Sequence, residues 1–259
     1  MTHRAPRQQA RWLHRLARGG LLPLVLATTP LGPGWADGLR IAAAEYVEPT
    51  TRYTHLVLGK DFNWGGLDVQ LSDGSARSVR LERYVFEDTA PRIVDLDSDG
   101  SPEIITVEAS SAGGARLAVY GIRDGEVVAM ARTPPIGTSH RWLAVVGAAD
   151  FDSDGFTEIA YVDRPHLAKT LRLWRYRSDL GSASLEPLAS LPGVTNHRIG
   201  DPHIVGGVRV CEGEVPEMRL ASANWARLLS VKWQSGGLVA VDLGPYPGDA
   251  AVEDGLACP

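Results

Sequence analysis

Nine residues, Asp95-Leu-Asp-Ser-Asp-Gly-Ser-Pro-Glu103, return 55 residues later as Asp150-Phe-Asp-Ser-Asp-Gly-Phe-Thr-Glu158. Each copy has carboxylates at its first, third, fifth and ninth positions and glycine at its sixth. Four acids held this close repel one another unless a cation sits among them. Hard oxygen donors around a glycine-permitted turn select calcium over zinc or copper. An EF-hand loop needs a bidentate Glu at its twelfth position, where this chain has Thr106 and Tyr161. It also needs flanking helices, whereas Ile104-Ile-Thr-Val107 and Ile159-Ala-Tyr-Val162 are strand-like. Plain acidic surface turns are the simpler alternative, since Asp and Gly are ordinary turn residues. The same acid spacing in the same strand context, twice, argues instead for two calcium loops inside β-hairpins.

With the loops as a frame, the rest of the chain divides into repeats. After the first loop come Glu103–Val107, Ala115–Tyr120 and Glu126–Ala131; after the second, Glu158–Val162, Thr170–Arg175 and Leu185–Leu191. A third unit reads Glu217–Ala221, Arg227–Trp233 and Gly237–Leu243, and a weaker one, Leu39–Glu45, Tyr53–Leu58 and Leu67–Leu71, precedes them all. A strand also enters each loop, at Pro91–Asp95 and Trp142–Gly147. The unit is four short antiparallel strands, A to D, with the acidic loop joining A to B. No amphipathic helical period follows residue 36. Four-stranded units at this spacing suit an all-β fold, a β-propeller of which about four repeat units are visible. It is either a small propeller closed by terminal strands or one whose partner supplies blades.

The Asp-x-Asp-x-Asp-Gly-x-x-Glu loop between two apolar strands resembles the FG-GAP or VCBS-type repeat. Such repeats build the calcium-bound propellers of integrin α subunits and of many exported bacterial proteins. The likeness is specific over residues 90–176 and schematic elsewhere. It implies calcium at two sites. One set would be Asp95, Asp97, Asp99, the Ser101 carbonyl and Glu103; the other would be Asp150, Asp152, Asp154, the Phe156 carbonyl and Glu158. Glu at the ninth position replaces the family's commoner Asp. The third unit reads Val210-Cys-Glu-Gly-Glu-Val-Pro-Glu217, lacks the alternating Asp, and is expected to hold no calcium.

Residues 1–36 read as a removable leader. They carry five Arg and no acid, an apolar run at Leu21–Ala27 too short to span a bilayer, and Gly34-Trp-Ala36 before a cut after Ala36. Residues 37–259 would then be the propeller, exported to the periplasm or secreted and not membrane-spanning. Removing five Arg from 26 basic residues leaves 21 against 31 acids, a formal charge of −10. That argues against a nucleic-acid partner, whose phosphates need a basic face. Cys211 and Cys258, the two cysteines, most simply pair in an oxidising compartment and tie down the C-terminal tail.

No nucleophile, zinc-protease or phosphate-loop motif is present. The leading expectation is therefore a non-catalytic module that binds a protein or an anionic carbohydrate or small molecule. The alternatives are a hydrolase or lyase of an anionic polymer or phosphoester, and a structural subunit of an envelope assembly. Strand order puts the D–A and B–C loops on the face opposite the calcium loops. There lie Ser139-His140-Arg141, Arg164-Pro165-His166 and Asn196-His197-Arg198, three of the five His beyond the leader. Backbone-bonded loop residues are one reading. A pocket for a carboxylate, phosphate or uronate, clamped by Arg141 and Arg198, is the functional one. Zinc on the three imidazoles is a lesser variant.

Overall fold

The computed structural model describes residues 38–179 and 182–258. The expected leader and its cleavage point lie outside them. Strands β1 (Ile41–Thr50), β2 (Asn63–Leu71) and β3 (Ala76–Arg80) form an N-terminal antiparallel layer. The first blade follows as β4 (Val85–Phe86), β5 (Arg92–Val94), β6 (Glu103–Ser110), β7 (Gly114–Arg123) and β8 (Glu126–Arg132). Its strand A is split, since β4 and β5 both pair with β6, at opposite ends. The second blade is β9 (Leu143–Ala149), β10 (Glu158–Asp163), β11 (Thr170–Asp179) and β12 (Ser182–Pro192), paired in that order. In the third, β13 (Val194–Thr195) and β14 (Gly207–Arg209) share the strand A role against β15 (Glu217–Ser222), followed by β16 (Arg227–Gln234) and β17 (Gly237–Pro245). A short helix, α1 (Asp249–Asp254), ends the chain. Among the described residues no helix is long and apolar enough to cross a membrane.

The fold is thus all-β and bladed, and the strand period explains how the blades pack. Alternate residues of a strand face opposite sides of its sheet. Ile105 and Val107 of β6 join Ile159 and Tyr161 of β10 in one core, while Ile104 packs with Leu67 and Val69 of the N-terminal layer. Ala160 and Val162, on the other side of β10, meet Met218 and Leu220 of β15. Strands β6 and β10 are therefore buried on both faces at every position. That is why they read as apolar runs rather than as alternation.

The weak fourth unit differs from its sequence reading. Residues 53–58 form no strand but an irregular strap. Tyr53, Val57 and Leu58 are buried by packing rather than by pairing. Asn63 Nδ2 donates to the carbonyls of Tyr53 and His55, taking acceptors that a ladder would need. Val57 in turn accepts from the Gly200 amide of the third blade at 2.9 Å. The layer's remaining strands join the sheet of the first blade through the Trp64–Phe86 pair.

A disulfide links Cys211 to Cys258, with Cα atoms 5.8 Å apart. It pins the tail where Val252 of α1 is buried and Glu253 accepts from the Gly206 amide.

Candidate functional site

The two acidic loops adopt one backbone. Ser98 and Ser153, at the fourth position, have φ of 59° and 61°, and the sixth-position Gly100 and Gly155 have φ of 84° and 89°. Two carboxylates fix each turn from within. The Gly100 and Gly155 amides donate to Asp95 and Asp150, at 3.0 and 2.9 Å. The Leu96 and Phe151 amides donate to Glu103 and Glu158, both at 2.9 Å. Leu96 and Phe151 are themselves core residues, so the loops are anchored to the blade interior.

Each loop keeps one buried carboxylate oxygen without a partner, Asp95 Oδ1 in the first and Asp152 Oδ1 in the second, and the loops part company in what faces their acids. In the first, carboxylate atoms of Asp95, Asp97 and Asp99 lie within 4.8 Å of one another. Oδ1 of Asp95 is buried and has no hydrogen-bond partner. Burial, together with the charges of Asp97, Asp99 and Asp95, pushes the Glu103 carboxyl up to about 8. In the second loop the close set is Asp150, Asp152 and Glu158, and Arg175 of β11 reaches into it. Burial also raises Glu158, but Arg175 opposes the rise. Ser101 and Phe156 occupy the seventh positions, and their amides donate to Asp99 and Asp154. The third turn has no such acid set. Its Glu217 is raised by burial, yet Ser230 and Arg219 hold it below the usual carboxylate range.

Calcium takes six to eight oxygens at about 2.3–2.6 Å. Three carboxylates within one ion's reach, one of them with an orphaned buried oxygen, fit it in the first loop.

Beside the strap, His55, His140, Arg141, Trp142, Arg164 and His166 line one small cleft. Trp142 is its floor: the indole donates to the Glu87 carbonyl at 2.7 Å and packs 4.8 Å from the His197 ring and 6.2 Å from that of His166. Behind it His166 Nε2 and His197 Nδ1 are 2.9 Å apart, and His197 Nε2 donates to the Asp201 carbonyl. His197 is fully buried and forms part of the scaffold. His140 stacks on Tyr53, and its Nε2 lies 3.0 Å from the Thr54 hydroxyl. His140 and Arg164 hold positive φ, 55° and 47°, which costs a residue with a Cβ and is tolerated where packing over-determines it.

The six loop residues proposed for one pocket do not all meet. Arg198 turns to Asp249, at 3.1 Å from both oxygens, and lies 3.5 Å from the Trp225 ring centre. Arg164 is paired with Asp163 at 2.8 Å. Arg141 donates only to its neighbour's carbonyl, so its remaining donors are uncommitted to any acid among the described residues.

His55 and Glu87 are functional candidates that the sequence reading missed. His55 Nδ1 lies 2.6 Å from Glu87 Oε1. Glu87 is wholly buried, its Oε2 has no partner, and desolvation raises its carboxyl well above the usual range. Two adjacent acids directly after the apolar Val85-Phe86 pair, Glu87-Asp88, are the faint signal that sequence offers. Larger clefts of about 490, 470 and 410 Å³ lie elsewhere, along Arg52, Glu82 and Tyr84, among Lys60, Arg92 and His203, and beside Glu45, Asp68 and Gln70.

Residues 95–161, spanning both acidic loops, match the family model described as an FG-GAP-like repeat. No curated protein matches the chain.

Proposed function

Since the chain carries an FG-GAP-type repeat, we propose that it is a calcium-stabilised, exported binding module whose ligand is an anion taken from the strap side. The orphaned Asp95 Oδ1 among three convergent carboxylates is the observation that carries the calcium part. Asp95, Asp97, Asp99, Glu103 and the Ser101 carbonyl would supply its oxygens. Asp150, Asp152, Asp154, Glu158 and the Phe156 carbonyl offer a second set. Export accords with the Cys211–Cys258 bridge, because disulfides persist in oxidising compartments.

On the strap side, Arg141 is the principal donor, with His55, His140 and His166 around it. A guanidinium without an acid partner in a chain of net negative charge is suited to a carboxylate, phosphate or uronate. Isothermal titration with glucuronate, inorganic phosphate and an acidic polysaccharide tests this. Saturable binding to one of them, lost in Arg141→Ala, supports the module; no heat from any of them rejects the anion.

One feature favours catalysis as a second reading. The buried Glu87 carboxyl on His55 Nδ1 fixes the ring and, when ionised, leaves Nε2 as a general base. Turnover of a phosphoester or acidic polysaccharide that His55→Gln abolishes would establish that reading, and its absence leaves the binding module.

A further inference from the structure

The residue across the hairpin from the ninth loop position differs from blade to blade. In the second blade Glu158 pairs in register with Arg175. Arg175 Nε lies 2.9 Å from Glu158 Oε1 and Nη2 lies 2.8 Å from Asp154, with a further contact to Asp152. In the third blade Glu217 pairs with Lys232, whose ammonium is 3.3 Å away, and also contacts Arg219 and Arg209. The first blade has Gly121 there, one step beyond the Ile104–Tyr120 pair. A Cβ on Gly121 would stand 3.6 Å from Glu103 Cγ. Among the described residues no arginine or lysine is paired with Asp95, Asp97, Asp99 or Glu103.

We infer that Arg175 is the built-in cation of the second loop, so that calcium enters the first loop alone. The inference rests on the calcium reading of the Asp95 loop and narrows it from two ions to one. Its physical basis is competition for the same oxygens. Arg175 bonds to two of the three residues in the close carboxylate set and holds Asp154 besides, so that only Asp152 Oδ1 is left buried without a partner. Calcium needs nearly all of these oxygens within about 2.6 Å. It would also face a positive charge held a few ångströms away, on a side chain that is only 13 % exposed. Entry therefore requires the guanidinium to leave three charge-assisted contacts at once. The third blade takes the same course further, with Lys232 and two arginines on Glu217 and no acid triplet left. The three blades form a series: a loop open to a metal ion, a loop neutralised by arginine, and a turn that has dispensed with the acids.

Calcium stoichiometry of the purified full chain, read by isothermal titration and by terbium luminescence, tests this. The wild type should bind one ion. Asp97→Asn should abolish binding, and Asp152→Asn should leave one ion bound. Arg175→Gln should acquire a second binding event, removed again by Asp150→Asn. Two ions in the wild type, with Asp152→Asn reducing them to one, would overturn the inference and leave the calcium reading standing. No binding in the wild type would overturn both. A single ion in a folded Arg175→Gln would show that arginine is not what closes the loop. If that variant does not fold, the Asp152→Asn stoichiometry decides between one site and two.

Discussion

His166 and His197 share one proton along a 2.9 Å contact, and the direction of that bond is fixed by a third group. The Asp201 carbonyl can only accept, so His197 carries its proton on Nε2 and accepts from His166 through Nδ1. His166 is then left with a bare Nδ1. Burial, followed by the charges of His197, His55 and Lys169, depresses the His166 pKa to about 4. His197 is depressed as well, chiefly by burial. A histidine whose folded pKa lies below its unfolded value stabilises the fold fully above about pH 6.5. That stability is lost as pH falls from there towards 4. Thermal melts between pH 7 and 4.5 should show a steep decline, and it should be shallower in His166→Gln. An imidazole NMR titration placing His166 near 6.5 would contradict the buried relay.

Calcium should raise the melting temperature by several degrees over EDTA. At a hundred times its dissociation constant, a ligand contributes about 2.7 kcal/mol per site. Asp97→Asn should remove the difference, whereas Glu212→Gln, in the turn without an acid set, should preserve it. Superimposable melts in EDTA and calcium would refute the linkage.

The Cys211–Cys258 bridge closes a segment of 47 residues. Its loss should cost about 4 kcal/mol on the chain-entropy model. Denaturant titration of the Cys211→Ser, Cys258→Ser double variant measures this. The calcium-dependent gain in melting temperature should persist, because neither cysteine lies near the Asp95 loop in sequence or blade. A double variant as stable as the wild type would show that α1 holds the tail unaided.

Arg141→Ala should abolish anion binding at the strap-side cleft and leave the calcium-dependent melt intact. Arg198→Ala should instead leave anion binding intact, because Arg198 is committed to Asp249 and Trp225. Equal losses in the two variants would place the anion between them, against the geometry.

The acidic loops were legible because all four carboxylates and the glycine sit in nine consecutive residues. The B strands were legible for a similar reason: burial on both faces leaves an unbroken apolar run. Arg175 was not, because what matters about it is which residue it faces across the β10–β11 hairpin, a register set by the turn and the packing rather than by any local motif. His55 lay in a stretch whose Tyr, Val and Leu looked like strand and proved to be strap. Arg198 matched the repeat spacing, but Asp249, which draws it away, belongs to a short helix that no period announced. Local chemistry was readable; side-chain partners brought together by the fold were not.

The strap has a consequence for the order in which the molecule can be completed. Val57 emerges early in synthesis, yet the amide it accepts from, that of Gly200, is made only when the third blade begins. Until then the Val57 carbonyl lacks its final donor, although the Tyr53 ring can already stack on His140 and pack with residues of the first two blades. Contacts so distant along the chain are slow to form. A molecule interrupted before residue 200 would carry two formed blades and a strap packed on them but not yet tied to the third.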